Sequence, residues 1–213
     1  YLVIDNFIDD KEILLQVEKD IRNMDDSIFK SAEIVGLPNV SVNKLYLMDM
    51  DKCSESVKKI VNYLNSSKMV EYLESLTQIK GLQADNFNMG GGIHKTKKGG
   101  HLDIHADFNI HRNTKKYRRV NLLLYMNSNY KDEYNGHLEL WNNEMTKCEK
   151  KIAPIFNRAV IFRTTDDAYH GHLSEWNADY DRLSFAMYYY TDDRPEHEKS
   201  GAIYAQWQTP KVN

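Results

Sequence analysis

The 213-residue chain is poor in cysteine and proline, with two and four, and has no apolar run near the ~20 residues that cross a bilayer. Cys53 and Cys148 lie far apart, which excludes a disulfide framework and a paired-cysteine metal motif. Such sparing use of cysteine fits a reducing compartment, so a cytoplasmic protein without a membrane partner is expected. A basic excess is also lacking: 28 Lys and Arg against 31 Asp and Glu give a formal charge of −3. That balance argues against a nucleic-acid partner. Neither a repeat nor a Pro-rich linker is visible, and Tyr1 in place of an initial methionine predicts a trimmed start. Against these absences, 41% hydrophobic and 28% charged residues are ordinary for a globular chain. A chain of this length buries roughly 70% of its unfolded surface, so a bound metal would serve chemistry and not the core.

One domain over 1–213 is expected, with a helical support region at 1–81, a β-rich core at 82–191 and a tail at 192–213. Tyr1 to Ile4 is a short β-prone run. After Asp9, with Glu12 as its capping partner, Ile13, Leu14, Val17 and Ile21 recur with helical period. Val57, Ile60, Val61 and Leu64 follow Ser54 in the same way, and Met69, Val70, Leu73 and Leu76 follow Ser67. Such stripes are faces that pack on a sheet. Beyond Leu82 the pattern changes to β-rich runs punctuated by Gly, Asn and Asp: Leu82 to Asn88, Gly100 to Ala106, Val120 to Met126, His137 to Trp141, Ala159 to Phe162 and Leu183 to Tyr190. The pattern predicts an α+β, mainly β fold: a jelly roll, or double-stranded β-helix, with the N-terminal helices packed on one sheet.

Seven of the eight histidines lie between His94 and His172. Residues two apart on a strand share a face, so His105-Ala106-Asp107 presents an imidazole and a carboxylate together, and His101-Leu102-Asp103 offers a second copy. A further histidine from a distant strand would complete the two-nitrogen, one-oxygen face of non-haem Fe(II) oxygenases. Tyr169-His170-Gly171-His172 lies downstream, followed by Arg182-Leu183-Ser184, where a guanidinium and a hydroxyl on one face can hold a carboxylate.

In that order, His105-x-Asp107, His170 and Arg182-x-Ser184 resemble the Fe(II)- and 2-oxoglutarate-dependent oxygenases of the prolyl 4-hydroxylase-like branch. Further strings that match are Gly99 to Phe108, Arg119 to Asn127, Gly136 to Trp141 and Arg182 to Thr191. The resemblance implies His105, Asp107 and His170 as iron ligands, in preference to His101, Asp103 and His172. It also implies Tyr125, Arg182 and Ser184 at the distal carboxylate of 2-oxoglutarate. Two departures lie before the Gly136 strand: His137 stands where a second glycine is frequent, and Asn129 or Tyr130 where a tryptophan is.

The implied activity is hydroxylation of an unactivated C–H with consumption of O2 and release of succinate and CO2, with ascorbate as an auxiliary reductant. Asp107 fills the position that a halide would need, so hydroxylation is expected over halogenation. A peptidyl proline and a small polar molecule or sugar are both open as substrates. His94, Arg118, His172 and Trp141 are the candidate substrate residues. Two basic runs, one with Arg112, Lys115, Lys116, Arg118 and Arg119, the other with His94, Lys95, Lys97 and Lys98, fit either an anionic substrate at the mouth or a solvated surface. Trp141, Trp176 and Tyr188 to Tyr190 fit either ring stacking or plain core. Two other classes compete: a jelly-roll binding module without turnover, and a zinc hydrolase on the same three ligands. The intact triad and Arg182 count against the first, which would tolerate loss of any one of them, and the second has no need for Arg182-x-Ser184 opposite Tyr125.

Overall fold

A computed structural model describes residues 1–199 and 201–211; Ser200, Val212 and Asn213, part of the expected tail, lie outside the described residues. In chain order come β1 (Leu2–Asp5), α1 (Lys11–Arg22), β2 (Lys30–Ser31), β3 (Ser41–Leu47), α2 (Glu55–Leu64) and α3 (Ser67–Thr77). The β-rich part follows: β4 (Gln83–Ala84), β5 (Gly92–Ala106), β6 (Tyr117–Tyr125), β7 (Leu138–Trp141), β8 (Cys148–Ile152), β9 (Arg158–Arg163), β10 (His170–His172), β11 (Arg182–Thr191) and β12 (Gln206–Trp207). No helix among the described residues is long and apolar enough to cross a membrane.

Each helix starts where a short polar side chain satisfies a free amide. The Asp10 carboxylate accepts from Ile13 N at 3.1 Å, so the α1 cap is Asp10 and not Asp9; Ser66, and not Ser67, caps α3 by accepting from Met69 N at 3.3 Å. Leu14, Val17, Ile21, Val57, Ile60, Val61, Leu64 and Leu73 then form one core with Leu122 and Leu124 of β6 and Leu183, Phe185, Met187 and Tyr189 of β11. Each such aliphatic contributes about 1.5–3 kcal/mol by leaving water. The strand residues between them, Leu123 and Tyr125 on β6 and Arg182, Ser184, Ala186 and Tyr188 on β11, face the opposite way and line a cavity.

The antiparallel sheet runs β1-β9-β6-β11-β5-β10-β7-β8, with β3 and β12 also on β5. Its curl comes from β5, whose partners change along its 15 residues. Gly92–Thr96 pairs with β11, while Leu102–His105 pairs with β10. The result is the expected double-stranded β-helix with helices on one side.

Several elements differ from the sequence pattern, among them β5, which begins at Gly92 and not Gly100, and β8, β10 and β12, which the pattern does not mark. The expected strand over Leu82 to Asn88 is only Gln83–Ala84, because the Asp85 carboxylate accepts from Phe87 N at 2.9 Å and Met89 N at 2.7 Å and turns the chain. Conversely, β3 lies inside the supposed helical region and pairs with β5. Its inward residues are polar, and a register shift between Val42 and Lys44, with Asn43 at φ 49°, breaks the alternation that would have marked it.

Candidate metal and cosubstrate site

His105 is the next-to-last residue of β5 and Asp107 follows the strand's end, and β10 lays His170 opposite His105 in register. The three residues are buried, and their donor atoms all lie within 4.8 Å of one another. His105 Nε2 is 3.7 Å from Asp107 Oδ1, and His170 Nε2 is 3.8 Å from Asp107 Oδ2. Both rings donate from Nδ1 to the backbone, His105 to Asp103 O at 2.9 Å and His170 to Ala168 O at 2.8 Å. Those bonds fix the tautomer and leave both Nε2 lone pairs directed at the shared point. Burial, then the nearby His170, brings the His105 pKa down to about 3, so its ring is neutral and able to coordinate.

His101 and Asp103, the rival pair, are turned away. His172 pairs with Leu102 and His170 with His105, so three steps along β5 oppose two along β10. This bulge puts Leu102 and His105 on the cavity wall, while His101 Nε2 meets Asn39 O at 2.9 Å. Gly171 is demanded by the same close approach: a Cβ there would sit 2.7 Å from the carbonyl oxygens of Leu102 and Asp103.

Asp107 is supported from behind. Its Oδ2 accepts from Asn121 Nδ2 at 3.2 Å and lies 3.0 Å from Arg118 Nη1. Burial alone would raise its pKa, but Arg118 and the two imidazoles outweigh burial and hold the carboxyl well below the usual range. Arg118 is therefore not at the mouth of the site, as its place in a basic run had suggested. It is fully buried, clamped between the rings of Phe108 and Tyr188 at 3.6 and 3.7 Å. The other basic residues are largely neutralised: Lys95 and Lys97 by Asp26, Lys98 by Asp179 and Lys116 by Asp192.

Across the cavity, Ser184 pairs in register with Tyr125. Arg182 projects from the same face, its Cζ 5.0 Å from the Tyr125 ring centroid, and its Nε donates to Gly136 O at 2.8 Å. The Tyr125 hydroxyl is buried without a hydrogen-bond partner, and Arg182 has no carboxylate within ion-pair distance among the described residues. Burial lowers the Arg182 pKa and raises that of Tyr125. This is a set of donors shaped for an anion that the chain itself does not supply. The cavity joining the two sets is about 810 Å3.

Of the candidate substrate residues, His94 and His172 line the cavity, while Arg118 and Trp141 do not. Trp141 lies on β7 and donates from Nε1 to Glu139 at 3.0 Å. Trp176 is enclosed in a cluster with Tyr130, Tyr134 and Tyr180, whereas Tyr188 does reach the wall. Three contributors escaped the sequence reading. Lys44 projects from β3 and donates from Nζ to His94 Nδ1 at 3.0 Å; burial, then Arg182, lowers its pKa to about 8. Ser41, on the same strand, also lines the cavity. The tail returns as β12, pairing Trp207 with His105 at a ring distance of 4.9 Å.

The comparisons with known proteins agree with this geometry. Residues 91–190 match the family described as the 2OG-Fe(II) oxygenase superfamily. No curated protein matches the chain significantly in sequence. Among solved structures, a Pseudomonas putida prolyl-4-hydroxylase superposes with TM-score 0.62 at 12% identity, covering 89% of this chain and 91% of its own. A Trichoplax adhaerens prolyl hydroxylase, in complex with a hypoxia inducible factor oxygen degradation domain peptide fragment, gives 0.58 at 22% identity, covering 90% and 83%. HygX from Streptomyces hygroscopicus, with nickel and 2-oxoglutarate bound, gives 0.60 at 12% identity, covering 97% and 92%. At these identities the likeness is one of fold.

Proposed function

We propose, from the membership of residues 91–190 in the 2OG-Fe(II) oxygenase superfamily, that this enzyme hydroxylates an unactivated C–H of its substrate. The observation that carries the reading is one cavity holding both a buried His-Asp-His set and a buried guanidinium without a carboxylate partner. The donor set fits Fe(II): two imidazoles and one carboxylate gathered on the cavity wall. His105, Asp107 and His170 would hold the ion. Arg182, Ser184 and Tyr125 would receive the distal carboxylate of 2-oxoglutarate, whose charge compensates the buried arginine. Bound together, iron and 2-oxoglutarate supply the oxidation by O2 that yields the hydroxylated product, succinate and CO2.

The chain's own part is positioning. The backbone carbonyls of Asp103 and Ala168 orient the imidazoles, Arg118 and Asn121 keep Asp107 ionised, and Trp207 walls His105. A peptidyl proline is the first substrate class we propose, from the likeness to the prolyl 4-hydroxylase-like branch, whose motifs a small-molecule hydroxylase would share. The second reading, a small polar molecule, is supported by the polar wall of buried Lys44 and His172 with partly buried His94. The free Cys53 and Cys148 support a reducing, cytoplasmic setting.

Anaerobic addition of Fe(II) and 2-oxoglutarate should give a visible charge-transfer absorbance, which His105→Ala abolishes. Absence of that absorbance in the wild type rejects the reading.

A further inference from the structure

Six lysines and arginines are buried among the described residues: Lys44, Lys95, Arg118, Arg119, Arg182 and Arg194. Four of them face a carboxylate, Lys95 with Asp26, Arg118 with Asp107, and Arg119 and Arg194 with Glu198. Lys44 and Arg182 do not, and both line the cavity. A buried cation without a counter-charge is costly, so each marks a place where an anion from outside the chain belongs. Arg182 is accounted for by the cosubstrate. Lys44 is not.

The surroundings of Lys44 are built in register. Lys44 pairs with Thr96, and Thr96 with Arg182; in the parallel row, Ser41 pairs with Leu102, and Leu102 with His172. The Ser41 hydroxyl and both ring nitrogens of His172 are buried and have no hydrogen-bond partner. Lys44 uses one of its three donors on His94 Nδ1, and His94 Nε2 in turn is spent on Gly90 O at 3.2 Å. The two carboxylates on the cavity wall are Glu33 and Asp107; Asp107 is committed to Arg118, and Glu33 makes no ion pair with Lys44. A cation, a hydroxyl and an imidazole therefore stand with spare hydrogen-bonding capacity on the same cavity wall as the metal ligands and Arg182.

We infer that Lys44, Ser41 and His172 form a substrate subsite for a carboxylate, and that the molecule hydroxylated here carries a free acid group. The inference rests on the hydroxylase reading. One lysine with neutral companions matches a single negative charge. A phosphate dianion would leave its second charge unmatched in a buried site. The carboxylate would be the anchor that fixes which C–H approaches the iron, as remote binding energy commonly does.

The test uses the full chain loaded with Fe(II) and 2-oxoglutarate. Succinate release is measured with the twenty free L-amino acids, their carboxamides, and prolyl tripeptides ending in either a carboxylate or an amide. At least one free acid should raise turnover, and its amide should lose about thirtyfold or more of that effect. Lys44→Met should lower the acid-stimulated rate by a larger factor than it weakens 2-oxoglutarate affinity, and Lys44→Arg should restore part of it. The stimulating acid should also raise the thermal midpoint of the wild type but not of Lys44→Met. Equal stimulation by acid and amide, no stimulation by any acid, or a Lys44→Met defect confined to 2-oxoglutarate affinity overturns the inference. A wild type without the charge-transfer absorbance fails at the hydroxylase reading itself, which separates the two failures.

Discussion

Arg118 Nη1 lies 3.0 Å from Asp107 Oδ2 with its guanidinium pressed between the rings of Phe108 and Tyr188. No guanidinium nitrogen meets a well-aligned hydrogen-bond acceptor, so the contact is one of charge held in place by stacking. The arginine thus helps keep the one carboxylate of the candidate iron site ionised.

Replacing Arg118 by Met keeps bulk between the two rings and removes the charge. Asp107 would then retain Asn121 as its partner, burial would raise its pKa, and a proton would compete with the metal. Divalent-metal affinity should drop by about 10–100-fold, with the loss steepest at low pH. Calorimetric titration with Mn(II) between pH 5.5 and 8 checks this. Unchanged affinity across that range would mean that Asn121 alone suffices.

The cosubstrate anchor should separate from the metal site. Arg182→Ala removes the charge proposed to meet the distal carboxylate and should weaken 2-oxoglutarate by about thirtyfold or more. Tyr125→Phe removes one neutral donor and should cost about threefold to tenfold. Neither should move Mn(II) affinity comparably. Titrating the charge-transfer absorbance with 2-oxoglutarate measures the first two effects, and equal loss of metal and cosubstrate would give the arginine a different task.

Gly136 joins fold and site. It sits at φ +66°, accepts from Arg182 Nε at 2.8 Å, and a Cβ there would lie 2.8 Å from Trp176 Cε3 and 3.0 Å from Arg182 Cδ. Gly136→Ala meets both a strained backbone and a collision, so a loss of about 1–3 kcal/mol is expected. Because the displaced group is Arg182, 2-oxoglutarate affinity should fall with it. A variant with lowered stability and normal cosubstrate affinity would show that Trp176, and not Arg182, gives way.

The motifs of the candidate iron site were legible because their side chains have strong chemistry at short spacing. The β-bulge that separates His105 from His101 was not, since both pairs have the same parity and the extra residue shows only when β10 is laid alongside. Strand β3 was hidden for the opposite reason. Its cavity residues Ser41 and Lys44 are polar, and a strand whose inner face is polar has no apolar alternation to betray it. Arg118 was misplaced because sequence proximity to Lys115 and Lys116 says nothing about which neighbour points inward. Trp207 lies in a tail with little periodicity, and its contact with His105 is made by pairing across about half the chain's length.

The Lys44–His94 pair predicts how the metal-free protein responds to pH. Burial, then the charge of Lys44, pushes the His94 pKa well below its ordinary 6.5, with Arg182 adding to the shift and Asp107 opposing it. The unfolded chain takes up a proton near pH 6.5 that the folded chain refuses, so stability is present above that pH and is lost as pH falls. One such group contributes a slope of at most about 1.4 kcal/mol per pH unit. Lys44 acts in the same direction in a higher window: the unfolded lysine holds its proton to 10.5 and the folded one only to about 8, so stability climbs as pH rises between those values. Urea midpoints measured from pH 5 to 7 and from pH 8 to 10 read the two limbs. His94→Asn, which still offers an oxygen to Lys44, should make the acid limb shallower by up to about 1.4 kcal/mol per pH unit, leaving the shares of the buried His105 and His172, whose pKa values are lowered in the same way, and Lys44→Met should flatten the alkaline one. Limbs whose slopes both substitutions leave unchanged would show that His94 and Lys44 are not among the titrating groups.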